Sequence, residues 1–178
     1  SSDVCSSDLG RINLQQGLLQ VGDGTAASAS AALSAAASPI SSSFGTELRY
    51  NVLNAAANYN PGTISGSGLL RLAATNTATF VLDDDNGNWI GDIIAEGGTL
   101  RFGGSNIASA LGNLRGTTTI NSGVTLQAFG ATTATSGTIT AMQEWVTFNQ
   151  GSTLSSVANG TTNTLLTMSG KMTLANSS

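Results

Sequence analysis

Short segments that alternate apolar and polar residues recur along the chain, and most of them directly follow a glycine. Two apolar residues lie two positions apart in Gly17-Leu18-Leu19-Gln20-Val21, Gly68-Leu69-Leu70-Arg71-Leu72 and Gly98-Thr99-Leu100-Arg101-Phe102. Residues with this spacing share one face of a β-strand, and the residue between them lies on the other face. The pattern therefore predicts short strands buried on one face, each preceded by a turn where glycine allows a positive φ or a close backbone approach. The repeat positions are Gly17, Leu19, Val21, Gly68, Leu70, Leu72, Gly98, Leu100, Phe102, Gly123 and Leu126.

The spacing of these segments favours a solenoid. The glycines that start them are Gly17, Gly45, Gly68, Gly98, Gly123, Gly151 and Gly170, which gives an irregular period of about two dozen residues. Such a period is typical of solenoids, in which each coil buries its apolar face only against its neighbours. We therefore expect an all-β, right-handed parallel β-helix of about seven coils. A β-sandwich of antiparallel hairpins is the alternative, because Asn-Gly and Gly-Ser-Gly turns also permit it.

Two segments depart from the strand pattern. Residues 1–9 resemble a translated short-read sequencing adapter, so we exclude them, including Cys5, and expect the chain to be a fragment of a longer gene product. The Ala/Ser-rich segment 25–43 is interpreted as a surface insertion with some helical character. Residues 10–178 then form one solenoid unit.

The composition excludes several functional classes. The chain has 178 residues with one lysine, five arginines and no histidine, and its net charge is −4. Nucleic-acid binding through clustered cations is excluded, and so is a transmembrane helix, because no run of about 18 apolar residues exists. Serine, threonine, glycine and asparagine dominate the remainder, with 23, 23, 22 and 15 copies. This balance is typical of an extracellular all-β protein. We predict no cofactor.

Few residues are candidates for chemistry. The run Asp83-Asp84-Asp85-Asn86-Gly87-Asn88 contains Asp83 and Asp85 as weak calcium ligands, although a turn between strands is the favoured interpretation. A polysaccharide-cleaving solenoid would need acids and an arginine in one groove. The residues that could be tested for this are Asp83, Asp85, Asp92, Glu96 and Arg101. A sugar-stacking surface could use Trp89, Trp145, Tyr50 and Tyr59, but we expect Trp89 to pack in the core.

Three successive segments resemble the autotransporter-associated β-strand repeats of type V secretion passengers. The segment Tyr59–Leu70 resembles the "sGtIsGsGsL" signature of this family, Leu82–Gly91 resembles "LtGaNtYtGgT", and Ile93–Arg101 resembles "TtInaGtLq". The last element returns in Thr118–Gln127 and again between Ile12 and Gly24. The resemblance covers about residues 11 to 130, and its specificity comes from the order of the motifs.

The resemblance implies a non-catalytic stalk in the passenger of a secreted bacterial protein displayed outside the outer membrane. Its partner would be the outer-membrane translocation machinery of the intact protein, and the segment would assist passage through that membrane. An adhesin that binds host or matrix glycans or proteins is the second hypothesis. A polysaccharide lyase or hydrolase on a β-helix is the third.

Overall fold

The structure is a computed structural model that describes residues 11–25, 39–56, 58–103, 107, 109–129, 138–157, 164–168 and 170–175. Short β-strands make up its regular secondary structure, and no helix occurs among these residues. The strands are β1 (Ile12–Leu14), β2 (Leu18–Val21), β3 (Ile40–Ser42), β4 (Glu47–Tyr50), β5 (Asn58–Tyr59), β6 (Ile64–Gly66), β7 (Leu69–Leu72), β8 (Thr79–Leu82), β9 (Ile93–Ala95), β10 (Thr99–Phe102), β11 (Thr117–Ile120), β12 (Thr125–Phe129), β13 (Thr138–Met142), β14 (Trp145–Phe148), β15 (Thr153–Val157), β16 (Thr164–Met168) and β17 (Met172–Leu174).

The strands form a parallel β-solenoid. The first sheet has the order β1-β3-β6, the second β17-β14-β11-β9-β7-β4-β2 and the third β15-β12-β10-β8-β5, while β13 pairs with β16. Each pairing between these strands is parallel. The predicted solenoid is confirmed, and the sandwich of antiparallel hairpins is wrong.

The number of turns is lower than predicted. The second sheet has seven strands, but the third has five, so the chain completes about five turns. The estimate of about seven coils counted incomplete turns at the two ends. Partners in the second sheet lie 22 to 29 residues apart, for example Leu48 opposite Leu70 and Leu19 opposite Leu48.

The repeat residues stack on two sheets of the interior rather than in a single column. Leu19, Leu48, Leu70 and Ile93 stack in the second sheet, whereas Phe80, Leu100 and Leu126 stack in the third. The repeat glycines are therefore of two kinds: Gly17, Gly45, Gly68 and Gly170 precede strands of the second sheet, and Gly98, Gly123 and Gly151 precede strands of the third. The longest gap, from Gly68 to Gly98, arises where a copy on the second sheet is followed by a copy on the third, and the shortest, from Gly151 to Gly170, where the order is reversed.

The corner before the second sheet is tight because small residues face inward there. Gly68, Gly91, Gly116 and Gly170 occupy equivalent positions by strand register. A Cβ at Gly91 would overlap the carbonyl oxygen of Gly68, and one at Gly116 would overlap the carbonyl oxygen of Gly91. The chain between first-sheet and second-sheet strands is correspondingly short: four residues separate β3 from β4, and two separate β6 from β7.

The remaining predicted segments are only partly described. Residues 1–9 and most of the Ala/Ser-rich segment, residues 26–38, lie outside the described residues. Within the Ala/Ser-rich segment 25–43, Ile40–Ser42 forms β3 and pairs with β1 and β6. Strands also form at Thr79–Leu82, Thr117–Ile120 and Thr164–Met168, as β8, β11 and β16.

Candidate functional site

The outer face of the second sheet carries the ion pairs of the described residues. We define the ion-pair cluster as Glu47, Arg49, Arg71 and Glu96. Glu47 Oε1 accepts hydrogen bonds from Arg49 Nε at 2.7 Å and from Arg71 Nε at 3.0 Å, and Arg71 also donates to Glu96. Arg49 and Arg71 are direct neighbours in the register of β4 and β7, so Glu47 lies where it neutralises both. The cluster links three successive strands through side chains.

The five residues considered for polysaccharide cleavage have separate partners. Glu96 pairs with Arg71, whereas Arg101 donates from Nε to Gln127 at 2.6 Å and lies over the Phe129 ring at 5.7 Å. Asp92 accepts hydrogen bonds from the backbone N–H and the hydroxyl of Thr117. No hydrogen bond or ion pair in the described part of the chain joins two of the five. The structure therefore does not bring these acids and Arg101 together as one site.

The acidic turn is organised by neighbouring side chains. Asp83 accepts a hydrogen bond from the Asn60 amide, and Asp85 accepts from the Gly87 N–H and the Ser109 hydroxyl, bonds that lower the pKa of Asp85. Burial and the neighbouring Asp83 raise the pKa of Asp84. Across the described ranges, no three Asp, Glu, His or Cys side chains lie together as metal ligands.

Asn86 of this turn has a different role from the one that the sequence indicates. Its side chain is fully buried, its Oδ1 accepts from the Ile64 N–H at 2.8 Å, and its Nδ2 donates to the Ala110 carbonyl at 2.7 Å. Asn76 has a similar role at the corner between β7 and β8. Its Oδ1 accepts from the Val52 N–H, and its Nδ2 donates to the Ala78 carbonyl. Each amide satisfies backbone groups where the chain turns a corner, which buried backbone requires.

The four aromatic residues considered for sugar stacking separate into two groups. Tyr50, Tyr59 and Trp89 are buried, and Tyr50 packs edge-to-face on Phe80 with ring centroids 4.3 Å apart. Burial raises the pKa of Tyr50 well above its usual value. The expectation that Trp89 packs in the core is confirmed. Trp145 is different, because 52% of it is exposed on the outer face of β14.

Trp145 lies among polar side chains on the outer face of the second sheet. Thr117 is its register partner on one side, and Lys171 Nζ lies 5.6 Å from the centroid of its ring. Thr119, Thr147 and Thr173 form the adjacent outward column by register. This arrangement resembles no catalytic constellation, but it presents an indole face beside hydroxyls and an ammonium group.

A buried carboxyl group, Glu144, was missed by sequence reasoning. Its position directly before β14 is equivalent to those of Gly116 and Gly170, so its side chain enters the interior and is 0% exposed. Oε2 accepts a hydrogen bond from the hydroxyl of Thr118, which is buried in β11. Oε1 has no hydrogen-bond partner, and neither does the indole Nε1 of nearby Trp89.

The surroundings of Glu144 disfavour its charged form. Burial raises its pKa to about 8, the hydrogen bond from Thr118 acts in the opposite direction, and the charge of Asp92 adds to the increase. A Cβ at Gly112 would contact both Glu144 Oε1 and the Trp89 ring, which shows how closely these groups approach. The only signal in the sequence is an acidic residue at a glycine position of the repeat, and that signal requires the register of β11 and β14.

Comparison of the chain with protein-family models, with curated proteins and with solved structures finds no match. Within the described residues, no helix has the length and apolar character needed to cross a membrane.

Proposed function

We propose that this chain is a non-catalytic structural segment, a stalk, in the passenger of a secreted, autotransporter-like bacterial surface protein. The observation that carries the proposal is the continuity of bonding along the stack. The second sheet runs through seven strands, and side chains of successive coils are bonded to each other outside and inside. Such a structure resists bending because each coil is held by backbone ladders as well as by side chains.

Side-chain bonds between coils support this role. On the outer face, the ion-pair cluster spans β4, β7 and the residue after β9. At the corners, Asn76 and Asn86 bridge residues more than twenty positions apart, and the Asn149 amide donates to Asn121. These side chains hold neighbouring coils together, which is what a rigid spacer needs. The motifs that resemble autotransporter-associated repeats give the secretion route that we propose.

Surface display tests the proposal directly. The chain is placed between an N-terminal epitope and the translocator domain of an unrelated autotransporter, and exposure of the epitope on intact cells is measured by flow cytometry. We compare the unchanged chain with Ile120→Asp, which puts a charge in the core, and with Thr119→Asp, its outward-facing neighbour.

We expect the unchanged chain and Thr119→Asp to display the epitope equally well, and Ile120→Asp to lose most of the signal, because a buried unpaired carboxylate disrupts coil stacking. Equal display by Ile120→Asp would show that an ordered stack is not needed for this function. Failure of the unchanged chain to appear on the surface would contradict the secretion route.

An adhesin is the second candidate, favoured by the half-exposed Trp145. Indole faces stack on the apolar faces of sugar rings, and the hydroxyls of Thr117 and Thr147 and the Lys171 ammonium could bond to sugar hydroxyls. A glycan array probed with the unchanged chain tests this candidate. Trp145→Ala should abolish any binding. Phe44→Ala, which removes an exposed aromatic ring from the turn between β3 and β4, should leave binding unchanged. Absence of binding by the unchanged chain dismisses the adhesin.

A further inference from the structure

Glu144 is the one fully buried acid among the described residues, and the stalk function does not use it. In equivalent positions of neighbouring coils, the chain has Gly116 and Gly170. A Cβ at Gly170 would overlap the carbonyl oxygen of Glu144, so the coils are in close contact at this corner. The carboxyl group lies among Thr118, Gly112 and Trp89.

Charged side chains on the packed elements do not neutralise it. Asp92 precedes β9 and carries the same charge, Arg115 lies next to Gly116, and Lys171 lies next to Gly170. The ammonium group of Lys171 lies over the outward-facing ring of Trp145. The ion pairs of the described residues do not include Glu144. A carboxylate in this position is thus a buried charge without a cation, which protein interiors tolerate poorly.

We propose that ionisation of Glu144 opens the C-terminal coils of the solenoid, from β13 onward, and that its protonated form keeps them closed. The neutral carboxyl needs no cation and keeps its hydrogen bond with Thr118. The coils beyond Glu144 are the easiest to detach, because interior positions there are poorly covered. Leu154, Met172 and Leu174 are 40%, 44% and 73% exposed, although Phe148 in the same column as Leu174 is 6% exposed.

The direction of the pH effect follows from the two states of the side chain. In the unfolded chain the carboxyl has its ordinary pKa of 4.5, and burial raises the pKa in the folded chain to about 8. Between these values the folded state holds more protons than the unfolded state. The stabilisation from this group is therefore complete below the pKa of the unfolded chain. It declines as the pH rises towards the pKa of the folded chain, and above that pKa there is no further loss.

Urea unfolding at several pH values tests the proposal. Trp145→Phe is used as the background, so that the buried Trp89, which lies beside Glu144, is the only fluorescent tryptophan. In this background we compare the chain that keeps Glu144 with the Glu144→Gln and Glu96→Gln variants. Glu96→Gln removes a carboxylate from the outer surface. Glutamine keeps the shape of the side chain and cannot ionise.

We expect the unfolding equilibrium constant of the Glu144 and Glu96→Gln chains to rise by up to about 10-fold per pH unit between about pH 5 and pH 8. In the Glu144→Gln chain this rise should be absent. The same rise in Glu144→Gln would overturn the proposal.

Two further measurements locate the effect. The chain has three glutamates, so selective carboxyl ¹³C labelling gives three signals in the unsubstituted protein, and the signal of Glu144 should titrate near pH 8. If no glutamate signal titrates near pH 8, the proposal is contradicted even if Glu144→Gln does not fold. Amide exchange, compared between Glu144 and Glu144→Gln at one alkaline pH, should be faster in the Glu144 chain over 138–157 and 170–175 and equal over 64–102. Uniformly faster exchange would refute local opening.

Discussion

Individual buried amides hold the corners of this solenoid. Asn86 is inaccessible to solvent and bonds to backbone groups of Ile64 and Ala110, which belong to the coils on either side of it. Backbone groups in a turn cannot all find partners in a parallel ladder, so a side chain must supply them. An asparagine in a turn motif is therefore an internal cross-link here and not only a residue that favours a reversal.

Asn86→Ala should lower the free energy of unfolding by about 2–4 kcal/mol, because it leaves a buried N–H and a buried carbonyl without partners. Chemical denaturation measures the loss. Asn88→Ala is the matched control two residues away, where the side chain is exposed, and it should cost less than about 0.5 kcal/mol. Equal losses in both variants would show that the buried amide does not hold the corner.

At the same scale, two glycines that each lie two positions before a strand should respond differently to alanine. A methyl group at Gly91 would overlap the Gly68 carbonyl, so Gly91→Ala should destabilise the fold by about 3 kcal/mol or more. Gly123 has a φ of 79° and nothing within 4 Å of an added Cβ, so Gly123→Ala should cost only about 1–2 kcal/mol of backbone strain. Thermal unfolding of the pair distinguishes these two causes. A larger loss at Gly123 would contradict the close approach of the two coils.

At the scale of strands, the ion-pair cluster determines how β4 and β7 tolerate two arginines side by side. Glu47→Gln removes the charge that lies between Arg49 and Arg71 and should cost about 0.5–1.5 kcal/mol, a modest amount because all three side chains are partly exposed. Unfolding at low and high salt should show that added salt stabilises the variant more than the unchanged chain, because it screens the repulsion between the arginines. The opposite salt dependence would show that Glu47 does not balance the two charges.

The strands were predictable from the sequence, and their assignment to sheets was not. The pattern of apolar residues around Leu70 and Leu100 marks both segments correctly as strands, but it does not distinguish the second sheet from the third. Gly91 and Gly116 escaped the repeat because the strands that follow them break the alternation: apolar Ile94 faces outward in β9, and polar Thr118 faces inward in β11. Glu144 was not predictable, because its burial depends on which residues of the neighbouring coils it meets.

At the scale of the molecule, the C-terminal end presents apolar side chains that would be covered in the middle of a stack. A cavity of about 320 Å³ lies there, with Phe148, Leu154, Met172 and Leu174 in its lining. Exposed apolar ends with open strand edges are prone to associate. We expect the chain to self-associate as its concentration rises, and sedimentation velocity should show this.

Leu174→Asp should weaken that association at least several-fold, whereas Leu114→Asp, which changes an exposed leucine in the turn before β11, should not. An equal effect of both substitutions would indicate non-specific apolar contact rather than end-to-end stacking.

The tight glycine corner also determines where foreign sequence can be accommodated. Two to four residues join strands of the first sheet to those of the second. Lengthening the chain at this glycine corner would force two carbonyl-packed backbones apart. An epitope inserted between Ser67 and Gly68 should therefore separate neighbouring coils, so this corner is the one to avoid when foreign peptides are grafted onto the scaffold.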